Sequence, residues 1–378
     1  PLALSSVVIG LIIAFSFISC TSIKTAPPFT TPKLKLINTI EIPFNKVFEN
    51  TLIGGLSGID YDKENDLYYL ISDDRSERDL ARFYTAKIHL AADTLQSIIF
   101  EKTIVFKNKA GENYSNWKTN PATSIDPEDI RINPINKNLV WCSEGARVIT
   151  DKATVLQNPE IQTTTLSGTF SDNYHLPRNL ITQKHNKGPR NNGAFEGISF
   201  DKKFRTIFTT LEAPLIEDGD EATTTKGGLI RIYQFDVKSK TNIAQYAYQL
   251  EHVARAPIPE NGFYINGISA IQYYNKNQLL VVERSYSVGK QSCTIKIYLC
   301  DLSKASDVKN RESLQNQSYT LAQKRLVLNL DDLGVFVDNV EGITFGPQLS
   351  NGKRSLILVT DNNFLKENKT QLFLFELD

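Results

Sequence analysis

The chain has 378 residues and 41% apolar content, enough to fill the core of one large domain or two ordinary ones. Its 42 Lys and Arg residues balance 42 Asp and Glu, so a bulk electrostatic partner such as nucleic acid or an anionic membrane surface is excluded, although a local charged pocket is not. Four cysteines without a Cys-x-x-Cys pair argue against both a disulfide framework and a zinc site.

From the amino terminus, Val7 to Ile18 form an apolar run too short to span a bilayer but suited to the core of a signal peptide. It ends in Phe17-Ile-Ser-Cys20 and is followed by a polar, Pro-containing stretch to residue 33. Residues 1–20 are therefore expected to be a signal peptide, with Cys20 resembling the lipidated cysteine of a bacterial lipoprotein. Residues 21–33 read as a linker and 34–378 as the domain. An ordinary cleaved signal is the alternative; either way the protein is expected outside the cytoplasm, touching a membrane only through its anchor.

Leu34–Phe44 has the alternation of a strand. After it a phrase recurs: an acid or small polar residue, then glycine, then an apolar strand, then a second strand ending in an acid. The copies are Ser57-Gly-Ile-Asp60 with Ile71-Ser-Asp73, Glu128-Asp-Ile130 with Cys142-Ser-Glu144, and Glu196-Gly-Ile198 with Thr210-Leu-Glu212. Asn266-Gly-Ile268 with Val282-Glu283 and Glu341-Gly-Ile343 with Val359-Thr-Asp361 complete the series. The shared isoleucines (Ile59, Ile130, Ile198, Ile268, Ile343) recur about every 70 residues, and a repeat of that regularity governs the architecture.

Most copies carry four short strand signals and almost no helical periodicity, which predicts an all-β chain folded as a β-propeller. Five blades is the direct count, with a sixth the alternative if 145–195 conceals one, and a pair of β-sandwiches the blander reading. In the second copy, 146–156 and 160–165 are expected to supply the outer strands. The fifth copy is one strand short, so the N-terminal strand is expected to close it.

In antiparallel neighbours the start of the first strand and the end of the second lie at one edge, so the recurring acids should share one rim of the ring. The long connections return to the same rim, the usual setting for function on a rigid scaffold. Glu128, Glu196, Glu212 and Glu341 are the candidate catalytic acids, with Glu196 first as general base or acid because Gly193 and Gly197 flank it. Asp73, Glu144, Glu283 and Asp361 are candidate ligands for a hard cation such as Ca²⁺, which would relieve the repulsion among crowded carboxylates. Arg75 and Arg284 suit an anionic ester, and Asn192 and Asn266 are assigned to the substrate, with amide oxygens that could also serve a cation. Gly54-Gly-Leu-Ser-Gly58 fails the serine-hydrolase elbow pattern, since Gly-x-Ser-x-Gly needs glycine at Ile59 and a strand-to-helix turn.

The same residues resemble a known family. Leu56-Ser-Gly-Ile-Asp60 with Tyr69-Leu-Ile-Ser-Asp-Asp-Arg75, Asp126-Pro-Glu-Asp-Ile130, Asn191-Asn-Gly-Ala-Phe-Glu-Gly-Ile-Ser-Phe200, Thr210-Leu-Glu-Ala-Pro-Leu215, Val282-Glu-Arg284 and Glu341-Gly-Ile-Thr344 are similar, in that order, to the phytase-like domain with esterase-like activity. The resemblance implies a secreted or envelope-anchored propeller related in architecture to calcium-dependent propeller phytases. The predicted rim lacks the dense Lys/Arg cluster that a polyphosphorylated inositol would need, which favours smaller phosphate or carboxylic esters. The expectation is an exported ester or phosphoester hydrolase acting on a small anionic substrate. A non-catalytic propeller that binds a ligand or protein partner on the same rim is the alternative. Oligomeric state is left open.

Overall fold

Phe29 to Asp378 are described by the computed structural model; Cys20 and the apolar run before it lie outside the described residues. Five four-stranded antiparallel sheets follow one another along the chain. Blade 1 comprises Leu56–Asp62, Leu67–Ser72, Arg82–Ala91 and Thr94–Val105. Blade 2 comprises Pro127–Asn133, Asn138–Ser143, Glu160–Thr165 and Phe170–Asn173. Blade 3 runs through Phe195–Phe200, Thr206–Leu211, Leu229–Asp236 and Asn242–Gln249, and blade 4 through Tyr264–Asn275, Gln278–Ser287, Thr294–Asp301 and Gln323–Asn329. Blade 5 holds Asn339–Phe345, Arg354–Asp361 and Thr370–Leu377, and its outer strand is Leu34–Ile42, paired antiparallel with Thr370–Leu377. The N-terminal strand thus completes the last blade and gives its exposed edge a partner, as the missing strand of the fifth repeat implies.

The 145–195 region holds no sixth blade. Ala146–Ile149 and Thr154–Gln157 pair only with each other, as a hairpin outside the ring, and the outer strand of blade 2 is the unexpected Phe170–Asn173. Alternation of Val, Ile and Thr is equally compatible with a free hairpin and with a blade strand, so the pattern could not separate them. Among the described residues, no helix is long and apolar enough to cross a membrane.

The innermost strands are buried on both faces over most of their length, and their apolar residues pack between blades: Ile198, Ile268 and Ile271 share one cluster, and Ile59 shares another with Ile357 of the second strand of blade 5. The recurrent glycine has a specific cause here. A Cβ on Gly197 would sit 2.7 Å from the backbone nitrogen of Ile271, on the innermost strand of the next blade. At Gly267 a Cβ would lie 2.5 Å from Glu212 Cγ, so blade 4 gives up a side chain to seat the acid of blade 3. The glycine beside Glu196 therefore admits a neighbouring strand, and Gly193 admits Ala213, whose Cβ a substituent there would meet at 2.8 Å.

Arg131 lies across the axis of the ring. Its guanidinium donates to the carbonyls of Ile198 at 2.6 Å and Ile271 at 3.2 Å and to that of Ile59, and it pairs with Asp129 at 2.9 Å. One side chain from blade 2 is thus bonded to the innermost strands of blades 1, 3 and 4. Asp129 in turn accepts from the amides of Ile198 and Ile130, so the buried charge pair is fully hydrogen-bonded.

Candidate functional site

The rim acids owe their aim to β-bulges. Phe195 pairs with Leu211, yet Gly197 already pairs with Thr210, leaving Glu196 as an extra residue; Ser57 and Glu341 occupy the same position in blades 1 and 5. In blade 2 the irregularity spans Glu128 and Asp129. A bulge redirects the side chain it carries, and here it turns an acid toward the ring opening.

Two groups of carboxylates result. Oxygens of Asp73, Asp126 and Glu128 lie within 4.8 Å of one another, as do those of Glu144, Glu196 and Glu212. The turn that carries Asp73 and Arg75 is held by buried Asp74, which accepts from the amides of Glu77, Arg78 and Asp79 and pairs with Arg82 at 2.8 Å. Glu144 is fixed by the amide of Ala194 at 2.8 Å, and Glu341 by the Asn339 amide group at 2.8 Å. Each group has one arginine. Arg75 lies 2.6 Å from Asp126, stands over the Trp117 ring and donates to Asn192 Oδ1 at 2.9 Å. Arg284 is paired with Glu212 and lies 3.9 Å from Glu341.

The two guanidiniums do not neutralise so many acids. Burial pushes Glu196 well above the usual carboxylate range, and Glu212, Glu144 and Glu341 push further. Glu128 is raised by burial and then by Asp73 and Glu196, Glu144 by burial and then Asp126 and Glu212, and Asp73 by burial and then Asp126 and Asp361. Burial raises Glu212 against the opposing pull of Arg284. Burial also lifts Glu341 to about 8, with Asp361 adding to it, and carries Asp361 itself to about 7. These mutual influences join the two groups into one continuous arc of acids. Oδ1 of Asp126 and Oε2 of Glu212 are buried and accept no hydrogen bond. Crowded oxygens, some lacking donors, are the donor set a hard divalent cation requires, so these residues could hold a metal.

A stability consequence follows directly. Carboxylates whose folded pKa is raised bind more protons folded than unfolded, so their contribution is present below the unfolded value near 4 and is lost as pH climbs through the folded values. With a chelator present, the urea midpoint should therefore fall between pH 5 and pH 8, through the about 7 of Asp361 and about 8 of Glu341. A midpoint that is flat or rises over that interval would contradict the crowded arc.

Not every expected residue joins the site. Glu283 accepts from Tyr248 Oη at 2.8 Å, Lys324 Nζ at 2.6 Å, the Glu251 amide at 3.0 Å and Asn266 Nδ2 at 3.1 Å, away from the acid arc. Asn266 is engaged with it. The cause is register: in blade 4 the bulge falls at Ser269, so Gly267 pairs with Arg284, the neighbour of Glu283. Successive strand residues point to opposite faces, and Arg284 takes the face toward the arc. Asn192 stands at the rim with Arg75, adopting φ 51°. Asp126 was not anticipated: it precedes its strand, and the irregularity at Glu128 and Asp129 lies between it and the regular pairing.

Comparison with known proteins can now be set against this geometry. The model of a phytase-like family, described as having the esterase-like activity of phytase, matches residues 51–364. The chain belongs to that phytase-like family. The match includes every member of the acid arc and both of its arginines. No curated protein matches the chain. Solved structures with a similar course are an α-L-arabinofuranosidase from Lactobacillus brevis, at 10% identity and TM-score 0.46 over 85% of this chain and 91% of that one, and an exo-1,5-α-L-arabinanase from a bovine ruminal metagenomic library, at 12% identity and 0.41 over 86% and 93%. Likeness at that level carries no argument about activity.

Proposed function

We propose that this phytase-like propeller is an exported hydrolase of small anionic esters, phosphoric or carboxylic, working at the acid arc with Ca²⁺. The observation that carries the reading is Glu196. It is a buried carboxyl held well above the usual carboxylate range by burial and by its acidic neighbours, grouped with Glu144 and Glu212, and so suited to carry a proton to or from a substrate. Asp73, Asp126 and Glu128, or Glu144 and Glu212 beside Glu196, are the oxygens that would hold the cation. When bound, Ca²⁺ would offset the acidic charge and polarise the ester oxygen. Arg75 is the more open of the two rim arginines, its side chain 26% exposed against 12% for Arg284, and would bind the anionic part of the ester. Glu196 would take a proton from the attacking water or give one to the departing oxygen.

Hydrolysis of p-nitrophenyl phosphate and p-nitrophenyl acyl esters tests this. Turnover should need Ca²⁺, cease with chelator and return on adding the ion; the better substrate distinguishes phosphoryl from acyl chemistry. A second reading, a rim that binds without turnover, is favoured by the engagement of Arg284 with Glu212 and Glu341. Folded protein that hydrolyses nothing under either condition would select it.

A further inference from the structure

A wide cavity lies at the other mouth of the ring. It encloses about 1020 Å³ where the innermost strands end, and Arg131 contributes to its lining. Its walls are aromatic and braced: Tyr61 stacks on Tyr68 at 4.6 Å, Phe200 packs on Phe204 at 5.3 Å and Tyr273 on Phe208 at 6.0 Å.

Acids and bases both line this space; the acids and Arg131 are engaged, whereas other bases are not. Asp60 accepts from the Ile132 amide at 2.9 Å and the Thr344 hydroxyl at 3.1 Å. Asp62 caps the turn through Glu64 and Asn65, Asp201 does so through Arg205 and Thr206, and Glu64 pairs with Lys137. Among the described residues, no ion pair engages Lys63, Lys202 or Arg354. The Arg354 guanidinium lies over the rings of Phe345, at 4.4 Å, and Tyr274, at 4.8 Å, and has no hydrogen-bond acceptor among the described residues. Rings that cover a guanidinium through its π face leave its N–H edge available for a carboxylate. Gln272 is also in the lining, and its buried Oε1 receives no hydrogen bond among the described residues, so rotation of the amide toward the cavity would let it accept from a ligand hydroxyl.

We propose that this second mouth binds a small aromatic carboxylate bearing a hydroxyl. Its ring would lie among the tyrosines, its anion on Arg354 and its hydroxyl on Gln272. The site is separate from the acid arc and does not depend on the activity proposed there.

Calorimetric titration of the full chain with 4-hydroxybenzoate, against its uncharged isostere 4-hydroxybenzamide, tests it. The acid should bind saturably, and the amide roughly tenfold or more weaker, as a charge-assisted hydrogen bond is lost. Arg354→Ala should weaken the acid by a similar factor, with Arg354→Lys restoring part and Gln272→Leu giving a smaller loss. Arg354 is exposed at the start of its strand, so its replacement should leave the fold intact, which a melting curve checks. No saturable binding up to millimolar concentration, equal binding of acid and amide, or undiminished binding by Arg354→Ala would each overturn the proposal.

Discussion

Glu196→Gln should lower hydrolysis of the preferred p-nitrophenyl ester by roughly 10²–10⁴-fold, the usual worth of a positioned general acid or base. Glutamine keeps the length and planarity of the side chain but cannot exchange a proton near neutral pH. The loss should fall on kcat more than on KM, because Glu196 is assigned to proton transfer and Arg75 to holding the anion. The limb of the pH–rate profile that belongs to the carboxyl should go with it. The melting temperature should hold or rise, since one of the mutually repelling acids beside Glu144, Glu212 and Glu341 becomes neutral. Retention of full activity by a folded Glu196→Gln protein would remove Glu196 from the chemistry and return the rim to a binding role.

The second large effect should be on stability. Arg131→Leu leaves Asp129 without its cation and leaves the carbonyls of Ile59, Ile198 and Ile271 without their shared donor. Breaking one side of a buried pair costs about 3–5 kcal/mol, because the remaining charge has neither water nor a counter-charge. Adding Asp129→Asn should recover part of this, since the orphaned charge is gone and the asparagine oxygen can still accept from one of the Ile130 and Ile198 amides, which bond different oxygens of the carboxylate. Urea denaturation of the single and double variants measures both changes. A double variant less stable than Arg131→Leu alone would mean that the two amide hydrogen bonds to the carboxylate outweigh the cost of its unpaired charge.

The ring was legible because its signals repeat. Isoleucines from Ile59 to Ile343, each beside glycine or, in blade 2, Asp129, register the same strand five times, and a spare N-terminal strand answers a missing outer one. What escaped the sequence is whatever depends on one blade differing from the rest. Asn266 and Glu283 fit the repeat as letters, but a bulge three residues later rotates Arg284 into the place expected for Glu283. Asp126 precedes its strand and so lies outside the recurring phrase, although the geometry makes it a member of the arc. Arg131 looks like an ordinary polar residue of a strand; only closure of the ring reveals that its neighbours are carbonyls from three other blades.

That crossing arginine also sets the traffic through the molecule. A five-bladed ring suggests a tube open at both ends, yet the bonds of Arg131 to strands on several sides leave a partition rather than a passage. Under the proposed function, an ester that reaches Glu196 would arrive by the acid-lined entrance, and both fragments would leave by it. On the proposed activity, alcohol and acid would therefore compete with the next substrate for a single doorway, while a ligand of the aromatic chamber behind the partition would come and go on its own schedule.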